Sequence, residues 1–214
     1  KKEFSKVINK EKIELIHNGS NINPSSYQTK KFIISYFGLI NKFRDPKVLI
    51  DVIDELLSEN NEIKEKFEFH VYGNIQPSTI NYLKLKKNLI KSLKINSFIS
   101  FKKLQNRLDS SSVLLLLLNN NETQNTTPYK IFDYLVSERP ILTLSNFKNP
   151  DVEYLLKKYK RNRTIGYDDR KEIKDFIISS FNSFNEGKLK NIKCDYSNLR
   201  YDKLAKKYKD IIES

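Results

Sequence analysis

The stretch "SVLLLLLNNNETQNTTPYKIFDYLVSERPILTL", residues Ser112 to Leu144, decides the fold. Its apolar run, Val113 to Leu118, has the length of a strand and falls far short of the ~18 apolar residues that span a bilayer. A strand that apolar needs cover on both faces, which suits a central place in a parallel sheet. A polar loop follows, then a helical pattern from Pro128 to Ser137, then a second apolar strand from Pro140 to Leu144. Strand, helix, strand in this order is a βαβ unit, whose crossover is right-handed.

The same alternation extends in both directions. Upstream, "IELIHN" (Ile13–Asn18) reads as a short strand and "KFIISYFGL" (Lys31–Leu39) as a buried one, closed by Gly38. "DPKVLIDVIDELLSEN" (Asp45–Asn60) reads as a helix with Asp45 at the N-cap and Pro46 at its first position. Its Val48, Leu49, Val52, Ile53, Leu56 and Leu57 recur at three and four residues, one face against a sheet. "FEFHVYG" (Phe67–Gly73) is the next strand, followed by a helix from about Pro77 to Lys94, a strand at Ser97–Phe101 and a short helix at about Leu104–Asp109. Downstream come a helix at about Pro150–Lys160, a short strand at Arg163–Tyr167 and helices at about Asp169–Asn185 and Leu199–Glu213. The spacing predicts an α/β fold: a doubly wound parallel sheet of about six strands, Rossmann-like in type. Residues 1–214 read as one domain, with the last helix, about 199–213, packing on or across it. Residues 19–30 and 186–198 read as its loosest connections.

The bulk numbers narrow the function classes. With 214 residues and 38% hydrophobic content the chain can bury a core. The start, "KKEFSKVINK", has no signal-peptide pattern. The chain neither begins with Met nor contains one, so it reads as a fragment with residues missing before Lys1. One cysteine, Cys194, excludes an internal disulfide framework and a cysteine zinc site, and two histidines, His17 and His70, leave little for another metal site. A reducing compartment is the natural inference. The net charge of +13 has two readings. One is a solvated lysine surface, as AT-rich coding favours. The other is attraction to a polyanion or an anionic membrane. The densest basic stretches are "LKLKKNLIKSLK" (Leu83–Lys94) and "LKKYKRNR" (Leu156–Arg163), and neither carries a nucleic-acid motif.

In an open α/β sheet, ligands bind outside the carboxyl ends of the strands. After the first buried strand comes "GLINKFRDP". Gly38 lets a ligand approach the backbone, and Lys42 and Arg44 lead into a helix N-terminus, which suits phosphate. The other reading is that Asp45 merely caps the helix and Arg44 is solvated. After the most apolar strand comes "NNNETQNTTPYKIFDYL". Thr126 or Thr127 can cap its helix, and Lys130 sits in the first turn, where a positive charge opposes the dipole. A bound anion would repair that, and Asp133, one turn on, could accept hydrogen bonds from a ribose diol. The plain alternative is a solvated i,i+3 pair. "GNIQP", after Gly73, and "FKK", with Lys103, are weaker candidates for contact with a base. No G-x-G-x-x-G follows the first strand, and there is no Walker loop or serine nucleophile elbow.

These segments together, "IHNGSN", "YFGLINKFRDPKVLIDVIDEL", "FHVYG", "INSFISFKKLQNRLDSSSVLLLLL" and "TPYKIFDYLVSERPIL", resemble the C-terminal half of family-four (group 1) glycosyltransferases of the GT-B fold. The likeness is clear from about Ile13 to Pro140. It implies a nucleotide-sugar-binding half of a retaining enzyme that transfers a sugar from an NDP-sugar to an acceptor. The context it implies is surface polysaccharide or glycolipid synthesis, and the N-terminal acceptor domain lies outside this chain. Carried over, Gly38, Lys42, Arg44 and Lys130 face the diphosphate. Asp133 stands where the family has a glutamate on the ribose, Asn125, Thr126 and Thr127 lie beside ribose or sugar, and Gly73 and Lys103 lie beside the base. The resemblance leaves the catalytic residues unassigned and implies no metal and no cofactor besides the donor. It also implies a sugar or lipid-linked acceptor, no nucleic-acid partner, a cytoplasmic location with peripheral contact at the inner face of the membrane, and little turnover by the chain alone. Asn125 replaces the family's other glutamate, Asp133 is one carbon shorter than Glu, and Ser137-Glu138 replaces the usual small-Gly pair. The rival reading is a non-catalytic basic Rossmann-like module binding an anionic partner, nucleic acid or membrane.

Overall fold

The structure, a computed structural model, describes residues 13–25, 29–120, 126–189 and 191–213. Its frame is five parallel strands: β1 (Phe32–Phe37), β2 (Phe67–Tyr72), β3 (Leu93–Asn96), β4 (Val113–Leu117) and β5 (Ile141–Leu144), in the order β3-β2-β1-β4-β5. The reversal of direction from β1 makes the carboxyl ends of β1 and β4 the switch point of a doubly wound sheet. The helices are α1 (Lys47–Glu59), α2 (Asn61–Lys66), α3 (Pro77–Lys84), α4 (Leu89–Ser92), α5 (Phe101–Asp109), α6 (Lys130–Val136), α7 (Pro150–Lys158), α8 (Arg170–Asn185) and α9 (Tyr201–Ile212).

Each face of the sheet carries its own core. One holds Phe32, Ile34, Tyr36, Phe69, Leu115 and the inner faces of α1 and α8. The other holds Leu114, Leu116 and Ile141 with α6 and α7. Every residue of β4 is buried, as a central strand with helices on both sides requires. Phe32 makes an edge-on contact with Phe181 of α8, ring centroids 5.5 Å apart.

Several expected boundaries move. The sixth strand, expected at Arg163–Tyr167, shrinks to one residue: Ile165 bonds Thr143 and Ser145 beyond β5 and pairs no further. The sheet therefore has five strands among the described residues. Ile13–Asn18 forms no strand. The pairing nearby is Ser20 beside Arg200, which ties this segment to the chain's C-terminal part. The edge strand is Leu93–Asn96, which overlaps the end of the expected helix and precedes the expected strand at Ser97–Phe101, and Phe101 opens α5 instead. The N-cap of α1 is Pro46, which offers no side-chain cap, and Asp45 lies outside the helix. The last helix begins at Tyr201, two residues later than expected. Glu138, in the usual glycine position, has φ 63°. Its carboxylate meets Asn191 (3.1 Å) and Lys193 (3.0 Å), and its carbonyl accepts from Ile192, contacts that hold a side chain where glycine is favoured.

Candidate functional site

The carboxyl ends of β1 and β2 are pressed together by two glycines. Gly38 and Gly73 both have positive φ, 140° and 143°. A Cβ on Gly73 would lie 2.1 Å from the Gly38 carbonyl oxygen, so only glycine fits there. Gly38 donates to the Tyr72 carbonyl and Gly73 to that of Asn96. The Gly73 amide, expected near a base, is thus committed to the sheet.

Helix α6 grips the last residue of β1 from both sides of its peptide. The Phe37 amide donates to the Tyr134 hydroxyl (3.3 Å), and Lys130 Nζ donates to the Phe37 carbonyl (2.5 Å). Lys130 Nζ also lies 4.5 Å from the centre of the Tyr36 ring and packs against Gly38, where an added Cβ would come within 2.6 Å of it. It forms no ion pair with an acid among the described residues, and it does not pair with Asp133. Burial, with the Arg44 charge adding to it, pushes the Lys130 ammonium down to about 7.

Arg44 reaches the same place from the β1–α1 loop. An Asx turn shapes that loop: Asn41 Oδ1 accepts from the Phe43 amide (3.0 Å), and the Asn41 carbonyl accepts from Arg44 (2.9 Å). The Phe43 carbonyl accepts from Asn120, joining the loop after β1 to the loop after β4. The Arg44 guanidinium lies against the Tyr36 hydroxyl, which donates to the Leu39 carbonyl (2.9 Å). Burial pushes that phenol up to about 12, against the opposing pull of Arg44. Arg44 Nε is buried and has no hydrogen-bond partner among the described residues. Beside it the thirteen-residue helix α1 starts with neither a side-chain cap nor an acid in its first turn. An unused guanidinium nitrogen and a half-buried lysine thus lie near the start of α1, where Asp45 puts one carboxylate oxygen on Lys47 (3.3 Å) and leaves the other buried without a partner among the described residues. The expected contribution from the α6 dipole is small, because α6 has only seven residues; there the charge comes from the Lys130 side chain.

The other candidates scatter around this core. Lys42 is exposed, its Nζ 4.9 Å from the Phe43 ring centre. Lys103 is exposed on the first turn of α5, beyond an edge strand two places from β1. Thr126 is exposed, and its carbonyl accepts from Asn149 at the start of α7 (3.3 Å). Thr127 is half-buried, and Asn125 lies outside the described residues. Asp133 is only 5% exposed and accepts a 2.6 Å hydrogen bond from Ser20 Oγ at Oδ1. Burial raises its carboxyl, and the Ser20 hydroxyl offsets part of that.

Three residues of this constellation escaped the sequence reading. Tyr36 is the hydroxyl on which Arg44 rests, Tyr134 holds β1, and Ser20 holds Asp133. For Tyr36 a signal existed: a phenol next to last in a continuous apolar strand brings a polar tip that needs a partner. The hollows elsewhere lie apart from this site. One of about 500 Å³ lies between His17, α7 and α9, and another of about 450 Å³ lies between Pro140 and α8. Neither includes Gly38, Arg44 or Lys130.

No family model and no curated protein sequence matches the chain. Solved structures do. Sucrose-phosphate synthase from Thermosynechococcus elongatus superposes with a TM-score of 0.66 at 10% identity, over 94% of this chain and 52% of that one. S. aureus TarM, crystallised with fondaparinux, alpha-GlcNAc-glycerol and UDP, gives 0.58 at 16% identity, over 94% and 38%. The C-terminal domain of LpcC, a group 1 glycosyl transferase family protein from Francisella tularensis, gives 0.54 at 14% identity, over 87% and 88%. The chain thus spans 38% of the length of TarM and most of a domain solved by itself. At these identities the likeness is one of architecture: the chain has the Rossmann-like fold that makes up one half of GT-B glycosyltransferases.

Proposed function

We propose that this chain is the nucleotide-sugar-binding half of a retaining glycosyltransferase, and that Arg44 and Lys130 hold the diphosphate of the donor, with Gly38 leaving room for it beside the backbone. The observation that carries this is the convergence on Tyr36 of two cations, Lys130 over its ring and Arg44 at its hydroxyl, at the switch point of a fold found in glycosyltransferases. A nucleoside diphosphate leaving group develops negative charge on its terminal phosphate. Two preorganised cations stabilise that charge most where water is excluded. Lys42 is a mobile helper at the rim. Asp133 uses Oδ1 for Ser20 and has Oδ2 for a ribose hydroxyl, with Asn125, Thr126 and Thr127 beside the sugar. Gly73 and Lys103 border the base. No metal is required, since the cations supply the charge. The acceptor is a sugar or lipid-linked sugar held by a partner domain at the cytoplasmic face of the membrane, and the products are surface polysaccharide or glycolipid.

Titration calorimetry with UDP, GDP and inorganic pyrophosphate tests the reading. At least one nucleoside diphosphate is expected to bind saturably and more tightly than pyrophosphate. If none binds better than pyrophosphate, or if binding survives loss of both Arg44 and Lys130, the reading fails.

A further inference from the structure

The hollow of about 500 Å³ between His17, α7 and α9 has a lining of two kinds. Part of it is apolar: Leu15 (52% exposed) and Tyr154 (55%) stand open beside buried Leu155 and Leu204. The rest is cationic: Lys158 near the end of α7, with Lys203 and Lys207 one turn apart on α9. A single acid, Asp151, shares the lining with these three lysines. Lys207 is held by Glu14 (2.5 Å). Lys158 and Lys203 form no ion pair among the described residues, and Lys158 Nζ lies 5.7 Å from the ring centre of Tyr154 and 5.4 Å from that of Tyr159. Asp195 is within electrostatic reach of Lys158 but does not pair with it.

The walls are fixed by their own packing. A Cβ added to Gly19 would lie 2.5 Å from the Leu204 side chain and 2.7 Å from the Leu199 carbonyl oxygen, so the segment after His17 is pressed against the start of α9. The Ser20 amide donates to the Leu199 carbonyl (2.7 Å), the His17 ring leans on Phe132 (centroids 6.1 Å apart), and Tyr159 stacks on Tyr196 (5.3 Å).

We propose that this hollow is a second ligand site, which takes a small organic phosphomonoester with an apolar, ring-sized body. Its volume is that of a small-molecule pocket, and a preformed wall spares the ligand the cost of ordering one. Free phosphate would use the lysines and leave the apolar lining wet. A neutral apolar molecule would use the lining and leave the lysines unpaired. A phosphate on an apolar body satisfies both, and lysine meets phosphate as a point charge without a fixed fork. The site lies apart from Arg44 and Lys130 and does not depend on what they bind.

Naphthyl phosphate tests it, with naphthol and inorganic phosphate as its two halves, read by fluorescence or calorimetry. Naphthyl phosphate is expected to bind saturably, and each half about tenfold more weakly or worse. Lys158→Glu with Lys203→Glu is expected to weaken the ester by about tenfold or more, and Tyr154→Ala by about threefold to fivefold. Lys171→Glu with Lys206→Glu makes the same charge change outside the hollow and should leave binding within about twofold. Arg44→Ala with Lys130→Met should leave it unchanged, which separates this site from the donor's. Thermal melts verify each fold, and Lys158→Gln with Lys203→Gln carries the charge test if the glutamates unfold the chain. No saturable binding, or equal binding of naphthol or inorganic phosphate, would overturn the proposal. So would indifference to the Lys158 and Lys203 changes, an equal loss from the Lys171 and Lys206 pair, or a loss in the Arg44 and Lys130 variant.

Discussion

Two ionisable side chains, half-buried Lys130 and buried Asp133, lie one turn apart on α6 and are treated in opposite ways. Lys130 is put against a carbonyl, an aromatic face and another cation, with no acid paired to it among the described residues. Asp133 is given a hydroxyl of the chain itself, Ser20, and packs beside the segment that runs on to α9. A buried charge without a partner costs free energy, and a fold retains such a cost where something else supplies the partner. On the proposed reading Lys130 waits for an external anion, whereas Asp133 is built first into the fold, with Oδ1 on Ser20.

The strongest way to break the contrast is Lys130→Met. Methionine fills the space and removes the charge. The variant is expected to be more stable by about 1–4 kcal/mol, as when buried charges give way to apolar side chains, and to lose UDP affinity by about a hundredfold. A gain in stability together with a loss of binding is the signature, read by thermal melts and calorimetry. If Lys130→Met destabilises the protein and leaves UDP binding intact, the lysine is a structural member and the contrast dissolves.

Arg44→Ala ranks second. It removes a charged hydrogen-bonding group from the phosphate and leaves Tyr36 in place, so a loss of about 1.5–3 kcal/mol of binding is expected, roughly ten- to a hundredfold. Pyrophosphate should suffer as much as UDP, because Arg44 addresses the phosphates. A loss confined to UDP would move Arg44 to the nucleoside.

Much of the fold is legible in the sequence alone. The largely apolar runs at Phe32–Phe37 and Val113–Leu117 read as central strands, and the loops after them are where an open α/β sheet offers a ligand site. The edge strand is hidden because Leu93–Asn96 is only four residues long and continues a lysine-rich stretch that reads as helical. Pairing with β2, a long-range contact, outweighs that local pattern. The neighbouring "SFISF" looks more strand-like, yet it has no ladder partner among the described residues. At the site, Gly38, Arg44 and Lys130 are legible from their loop positions. The Tyr36 hydroxyl between them is not, since its reach to Leu39 and Arg44 depends on how the loop folds back over β1. The cap expected at Asp45 fails because Pro46 itself takes the N-cap position.

A smaller effect sharpens the same contrast through pH. In the free protein Lys130 loses its proton near pH 7, while a bound diphosphate favours the charged form. Binding above pH 7 must therefore take up a proton, and UDP affinity is expected to fall by roughly 25- to 50-fold from pH 7 to pH 9. The terminal phosphate, with a second pKa of about 6, is already mostly ionised at pH 7 and adds only a small opposing trend. The sign for folding runs the other way. The unfolded chain binds the lysine proton up to its ordinary pKa, so between pH 7 and about 10.4 this group makes stability rise with pH. Lys130→Met should flatten both slopes, which calorimetry in buffers of different ionisation enthalpy and melts across pH will read.

The smallest effect belongs to the other side of the comparison. Ser20→Ala removes the hydroxyl that donates to Asp133 and leaves a buried carboxylate with one bond fewer. A stability loss of about 1 kcal/mol is expected, with UDP affinity changed by less than threefold because the phosphate cations are untouched. Asp133→Asn separates the two uses of the carboxylate. If its free oxygen holds a ribose hydroxyl, wild type prefers UDP to 2′-deoxy-UDP and the asparagine variant loses that preference. If wild type binds both nucleotides equally, Asp133 serves the fold alone, and the ribose is held elsewhere along the rim.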